Sequence, residues 1–262
     1  MRRHIIGALA LGCLAAAPAS AGQQAADRHP DLSGGWAYAI DLAPAGLKKV
    51  VDGKTTTVKF DQNARHRVFD DVPGARPWTK APSYKPEFQA KVADLAAHES
   101  QVDGVFYCGR PGVPRIGSPR RIIQLPGEFV FLYEEISGNT FRIIPIDGRT
   151  HRPGLNPSYY GDGVGHWEGD TLVVDTVNFV DESWFGEDGY FHSDAMHVIE
   201  RFWRIGDQLA FQVTVDDPKV LTQPWTNFPH LIDRSNEPLE EAPACKEDDG
   251  HRLLNLDHHL QR

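Results

Sequence analysis

Four times after Arg121 the chain runs through a short apolar or alternating stretch, turns at a glycine-containing loop, and runs back. Ile122-Ile123-Gln124-Leu125 turns at Pro126-Gly127-Glu128 into Phe129-Val130-Phe131-Leu132-Tyr133. The next turn, Ser137-Gly138-Asn139, leads into Thr140-Phe141-Arg142-Ile143-Ile144-Pro145-Ile146. Glu168-Gly169-Asp170 leads into Thr171-Leu172-Val173-Val174-Asp175-Thr176, and Gly206-Asp207 into Gln208-Leu209-Ala210-Phe211-Gln212-Val213-Thr214-Val215. Glycine supplies the positive φ such turns need, and β-branched and aromatic residues suit the pleated backbone on either side. Each unit therefore reads as a β-hairpin, and the series predicts an antiparallel meander. A first strand over residues 35–40 and a last segment over 224–228 bring the expected total to nine or ten. Pro86 opens a helix to about Ser100, with Phe88, Val92 and Leu95 on one stripe. Residues 41–85, rich in proline and glycine, read as a long loop that covers something, such as a barrel mouth.

An open sheet of that many strands exposes its edges, and closure removes them. The expectation is an all-β fold, an antiparallel meander closed into a β-barrel with one short helix and a long covering loop. A two-sheet β-sandwich is the alternative. No linker composition or charge run divides the chain, so residues 22–262 are expected to form a single β-barrel domain. Residues 1–21 read as a signal peptide: Arg2 and Arg3, an apolar run from Ile5 to Ala16, and an Ala19-Ser20-Ala21 cleavage site. The run is too short to span a bilayer, and a lipidated Cys13 fits less well than cleavage after Ala21. The expected location is periplasmic or secreted.

Removing the leader leaves Cys108 and Cys245. In an oxidising compartment their most direct arrangement is one disulfide, with free thiols or metal ligands as the alternatives. The net charge of −9, made more negative by loss of the leader, argues against nucleic acid, and no polybasic segment addresses a membrane.

Gly34-Gly35-Trp36, ahead of the meander, resembles the G-x-W signature of lipocalins and their calycin relatives, which implies a barrel whose cup holds a small ligand. The chain is also similar to a family of secreted bacterial proteins that begin with Pro-Asp-Leu-Ser-Gly-x-Trp. The family's further blocks stand here as Asp147-Gly148-Arg149-Thr150-His151, as residues 167–176, and as residues 192–202. This second resemblance implies the fold and export and assigns no chemistry. The insertion ahead of Arg121 departs from a simple lipocalin and leaves the strand order open.

Candidate chemistry concentrates in residues 192–201. A strand from Met196 puts His197, Ile199, Arg201 and Trp203 on one face and Val198, Glu200 and Phe202 on the other. His197 and Arg201 are thus expected to share a cavity, with Glu200 directed away. His192 and Asp194 lie in the loop before it, where the carboxylate would orient an imidazole. Arg149 and His151, in a loop after a strand, are expected to meet them at one mouth. Histidine held by an acid beside an arginine suits proton transfer with stabilisation of the developing charge. Tyr133, Tyr159, Trp167 and Trp203 would line the cup and bind the ligand.

Absence of G-x-S-x-G, G-x-G-x-x-G and Walker sequences argues against a serine elbow and nucleotide cofactors. The expected function is an exported enzyme acting by proton transfer, as a lyase, hydratase or isomerase, on a small, partly apolar and ring-shaped substrate. His192 and His197 would act as acid or base, Asp194 as orienter, and Arg149 or Arg201 as charge stabiliser. One alternative is a non-catalytic carrier of lipocalin type. Another is a metal-dependent hydrolase or oxygenase with a divalent transition metal at His151, His192 and His197. No organic cofactor, nucleic acid or membrane span is expected.

Overall fold

The computed structural model describes residues 29–37, 47–51, 54–58, 81–135, 137–227, 229–242 and 245, so the expected leader lies outside the described residues. The strands are β1 (Gly34–Gly35), β2 (Leu47–Val51), β3 (Lys54–Val58), β4 (Arg121–Leu125), β5 (Glu128–Tyr133), β6 (Thr140–Pro145) and β7 (Asp162–Glu168). They continue as β8 (Thr171–Val177), β9 (His197–Ile205), β10 (Gln208–Asp216), β11 (Trp225–Thr226) and β12 (His230–Ile232). Two α-helices, α1 (Pro86–Ala97) and α2 (Glu99–Val102), and a 3-10 turn of helix (Gly104–Tyr107) precede β4.

All four hairpins expected from the turn glycines form, and the fold is all-β with two antiparallel sheets. One sheet has the order β1-β4-β5-β6; the other runs β11-β10-β9-β8-β7, with β12 also paired to β10. Of the expected first strand over 35–40, Gly35 belongs to β1, Trp36 forms an isolated bridge with Arg234, and residues 38–40 lie outside the described residues; three other elements differ from expectation. Part of the proline-rich stretch is a separate hairpin, β2–β3. The helix is interrupted at His98, whose φ of −117° is not helical. A short strand, β12, comes after β11, and its three residues are too few to show a period.

The sheets face each other across a core to which both alternation patterns contribute. Ile122, Phe129, Phe131 and Ile144 come from one sheet, and Leu172, Val174, Val198, Phe202 and Phe211 from the other, all buried. Phe131 meets Phe202 edge to face with centroids 5.1 Å apart, and Phe202 stacks on Phe211 at 4.9 Å. Each buried phenylalanine contributes about 1.5–3 kcal/mol from apolar burial. On one side the sheets are tied by backbone hydrogen bonds: Ala37 N donates to Asp233 O at 2.8 Å, and Ser235 N to Gly35 O at 3.0 Å. On the other side β7 approaches β6 where it has no side chains. A β-carbon on Gly163 would lie 2.9 Å from Ile144 Cδ1, and one on Gly165 would lie 2.9 Å from Ile146 Cγ2.

Helix α1 begins with Pro86 at its first turn, where a missing N–H costs nothing, and packs Phe88, Val92 and Leu95 against the core. Cys108 is joined to Cys245 in a disulfide spanning 137 residues of chain. Among the described residues no helix is long and apolar enough to cross a membrane.

Candidate functional site

The period of β9 is as the sequence predicts, and the apolar partners choose its inner face. Val198, Glu200 and Phe202 point between the sheets, because Val198 and Phe202 have the core to join. His197, Ile199, Arg201 and Trp203 therefore lie on the opposite, half-exposed face. His197 and Arg201 share that face rather than an interior cavity. They stand four residues apart, about 13 Å along a strand, and Arg201 is directed to Glu168 at 4.0 Å.

On this outer face His197 meets Asp175, which lies within the block at residues 167–176 and reads there as an ordinary strand position. Asp175 of β8 pairs with Ile199, so its carboxylate reaches His197 diagonally. His197 Nε2 lies 2.7 Å from Asp175 Oδ1, and His151 Nε2 lies 3.0 Å from the same oxygen. An ionised carboxylate only accepts, so both imidazoles present an Nε2–H to it. His151 is delivered by the loop between β6 and β7. Its neighbour Arg152 anchors that loop, with backbone N donating to Asp162 Oδ2 at 2.8 Å and the guanidinium to Asp162 Oδ1 at 2.7 Å. Burial would raise the Asp162 pKa, but the bonds and charge of Arg152 outweigh it and hold the carboxyl below its usual value. His151 Nδ1 is buried without a hydrogen-bond partner, 3.5 Å from Asp162 Oδ2. The result is a line Asp162, His151, Asp175, His197, ending in an imidazole whose side chain is 38% exposed.

The other expected groups are distributed elsewhere. His192 is buried and has partners of its own. Its Nδ1 lies 2.9 Å from the Ser193 carbonyl, which can only accept, so Nδ1 carries the proton and Nε2 accepts from Ser183 Oγ at 3.1 Å. Burial holds the His192 pKa below the ordinary value, partly offset by the Ser193 bond and by Asp217 and Asp181. Asp194 does not orient either histidine; it is exposed and paired with Lys219. Arg149 folds back onto Asp147 two residues earlier, around the turn at Gly148, and both are exposed. Of the four aromatic residues expected to line a cup, Tyr133 is buried against Arg142, and Tyr159 donates to Glu182 at 2.9 Å. Trp167 packs on Phe129 and His29, and Trp203 lies on the outer face.

Inside, the charged centre is Arg142 and Glu200, which are 5% and 0% exposed. Arg142 grips Glu200 bidentately at 3.0 and 2.6 Å and also donates to Tyr133 Oη at 3.2 Å and Thr176 Oγ1 at 3.1 Å. Burial works against the Arg142 charge, yet Glu200 and Tyr133 raise its pKa on balance. Both residues sit in phase with apolar neighbours, Arg142 with Ile144 and Glu200 with Val198 and Phe202. A charge at an inward position on each of two strands is the signal that could have announced the pair.

Among the described residues, no three His, Cys, Asp or Glu side chains are grouped as metal ligands. Comparison with known proteins returns no matching family model, no matching curated protein and no matching solved structure.

Proposed function

We propose that this chain is an exported enzyme that moves protons on a small, partly apolar substrate, with His197 as the acid–base group on the outer face of the larger sheet. One observation carries the reading: a single oxygen of Asp175 lies 2.7 Å from His197 Nε2 and 3.0 Å from His151 Nε2. Donation from Nε2 fixes the His197 tautomer and leaves the Nδ1 lone pair as the base. Asp175 stabilises the imidazolium formed when a substrate proton arrives, and the same nitrogen then returns the proton to a second atom, as in a lyase, hydratase or isomerase. His151 and Asp162 act as positioning residues that hold Asp175. Ile199 lies between His197 and Arg201, so the face suits a substrate with an apolar middle and an anionic far end.

Backbone bonding of residues 35–37 to 233–235 and the glycine-lined approach of β7 to β6 favour a barrel-like closure of the two sheets. The disulfide suits an oxidising compartment and so favours export.

The test is solvent deuterium incorporation into a panel of small carbonyl, hydroxy and unsaturated acids, read by mass spectrometry. Wild-type protein should label at least one compound at a single carbon. His197→Asn and Asp175→Asn should slow that labelling about 10²-fold or more while leaving the melting temperature within a few degrees. Labelling that survives His197→Asn unchanged removes the assignment. A bound but unlabelled compound favours the carrier instead.

A further inference from the structure

The long loop between β8 and β9 folds back on itself and sets a serine against a histidine. Trp184 and Phe191 form an isolated antiparallel bridge, and Phe185 N donates to Tyr190 O at 2.9 Å. Antiparallel register then places Ser183 opposite His192, nine residues later. Ser183 Oγ donates to His192 Nε2 at 3.1 Å, and His192 Nδ1–H donates to the Ser193 carbonyl at 2.9 Å. Ser193 is held in turn by the carboxylate of Asp217, which accepts from Ser193 N at 2.6 Å and from Ser193 Oγ at 2.8 Å. A hydroxyl bonded to a neutral imidazole, whose other nitrogen is fixed by a third group, is the arrangement that activates a serine nucleophile.

Three further features suit chemistry better than a merely structural bond. Burial keeps His192 neutral and ready to accept a proton, while the Ser193 bond, Asp217 and Asp181 favour the imidazolium that acceptance would create. Gly112, at φ +72°, brings backbone against the hydroxyl: a β-carbon there would lie 3.0 Å from Ser183 Oγ and 2.9 Å from the Tyr159 carbonyl. Ser183 is 6% exposed, yet Asp181 and Glu182 just before it are open to solvent, so the hydroxyl lies immediately beneath the surface. A nucleophile at that depth admits a short acyl group and excludes a bulky one. The local sequence, Asp181-Glu182-Ser183-Trp184-Phe185, is no glycine elbow; here the fold of the loop presents the serine.

We infer that Ser183 and His192 form a second catalytic site, a serine–histidine dyad that hydrolyses esters of short acids such as acetyl esters. The site shares no residue with the His197 group and does not rest on the function proposed for it. Ser183 Oγ bonds to the ester carbonyl carbon as its proton passes to His192 Nε2. The carbon–oxygen bond to the alcohol then breaks, and Nε2 returns the proton to the departing oxygen. Water attacks the acyl-serine, again through Nε2, so that acid is released and the Ser183 hydroxyl is restored.

The test uses full-length protein and two small probes. Methanesulfonyl fluoride should add about one methanesulfonyl group, with loss of fluoride, that peptide mass spectrometry maps to Ser183. Heat-unfolded protein should carry none there. 4-Nitrophenyl acetate should be turned over with saturation. Ser183→Ala, which removes one oxygen and should leave the circular dichroism spectrum unchanged, should abolish both the adduct and the saturable turnover. His192→Gln should slow both about 10²-fold or more. Absence of a Ser183 adduct in the folded wild type overturns the proposal. So does an adduct that forms equally fast in His192→Gln, or 4-nitrophenyl acetate turnover that Ser183→Ala leaves unchanged.

Discussion

Glu200 is closed off from solvent and, among the described residues, is paired with Arg142, which also donates to Tyr133 and Thr176. Removing one partner of such a pair strands the other. Glu200→Gln should therefore cost about 3–5 kcal/mol in urea unfolding, whereas Arg142→Met combined with Glu200→Leu should cost far less or nothing. His192 illustrates a different residue-scale effect. Its pKa is lower in the folded state than in the unfolded state, so the unfolded chain binds the proton more readily as pH falls. The stability is complete above the ordinary value of 6.5 and is lost progressively below it. Melting temperature measured from pH 7.5 downward should fall across that window, and His192→Gln should flatten the slope. In ¹⁵N NMR spectra His192 should show the Nδ1–H tautomer, while His151 and His197 show Nε2–H.

At the scale of elements, two acids bear on how the helical segment packs. Burial raises the carboxyl of Glu99, opposed by an Asp188 backbone bond and by Arg115. Burial also raises Glu187 beside it, with Arg115 opposing and Glu99, Asp188 and Asp103 reinforcing. Acids whose pKa is raised on folding stabilise at low pH, and that contribution disappears as pH rises past the ordinary value of 4.5. Glu99→Gln with Glu187→Gln should therefore raise the melting temperature at pH 7 and leave it nearly unchanged at pH 4. Between the sheets, Gly163 is open to a sharper test. Any side chain there meets Ile144, so Gly163→Val should destabilise by about 1–3 kcal/mol as overpacking. The hairpins were legible because turn glycines and alternation are local. The break at His98 was not, since no proline or glycine marks it.

At the scale of the molecule, the disulfide closes a span of 137 residues from the segment after the helices to the tail. In the chain-entropy model a loop of that length contributes roughly 5 kcal/mol. Reduction should lower the urea midpoint accordingly, and Cys108→Ser with Cys245→Ser should reproduce the reduced midpoint in the absence of any reductant. A variant as stable as wild type would show that the unfolded chain gains little freedom from losing the link.

Near neighbours in the chain were enough to specify four hairpins, the helix start at Pro86, the apolar inner rows, and the two cysteines as candidates for one bridge. Period two was enough to separate His197 from Glu200 across β9. Packing of the two sheets decided which of those faces is inside, because alternation has no sign until another surface is available to bury one side. It also decided the partners. Asp175 lies 22 residues from His197 and 24 from His151, and Arg142 lies 58 from Glu200, so only strand register brings each charge to its counterpart. Asp194, close to His192 in the chain, went instead to Lys219. Nearness in sequence decided little about charge because carboxylates pair with whatever cation the packed backbone carries within reach.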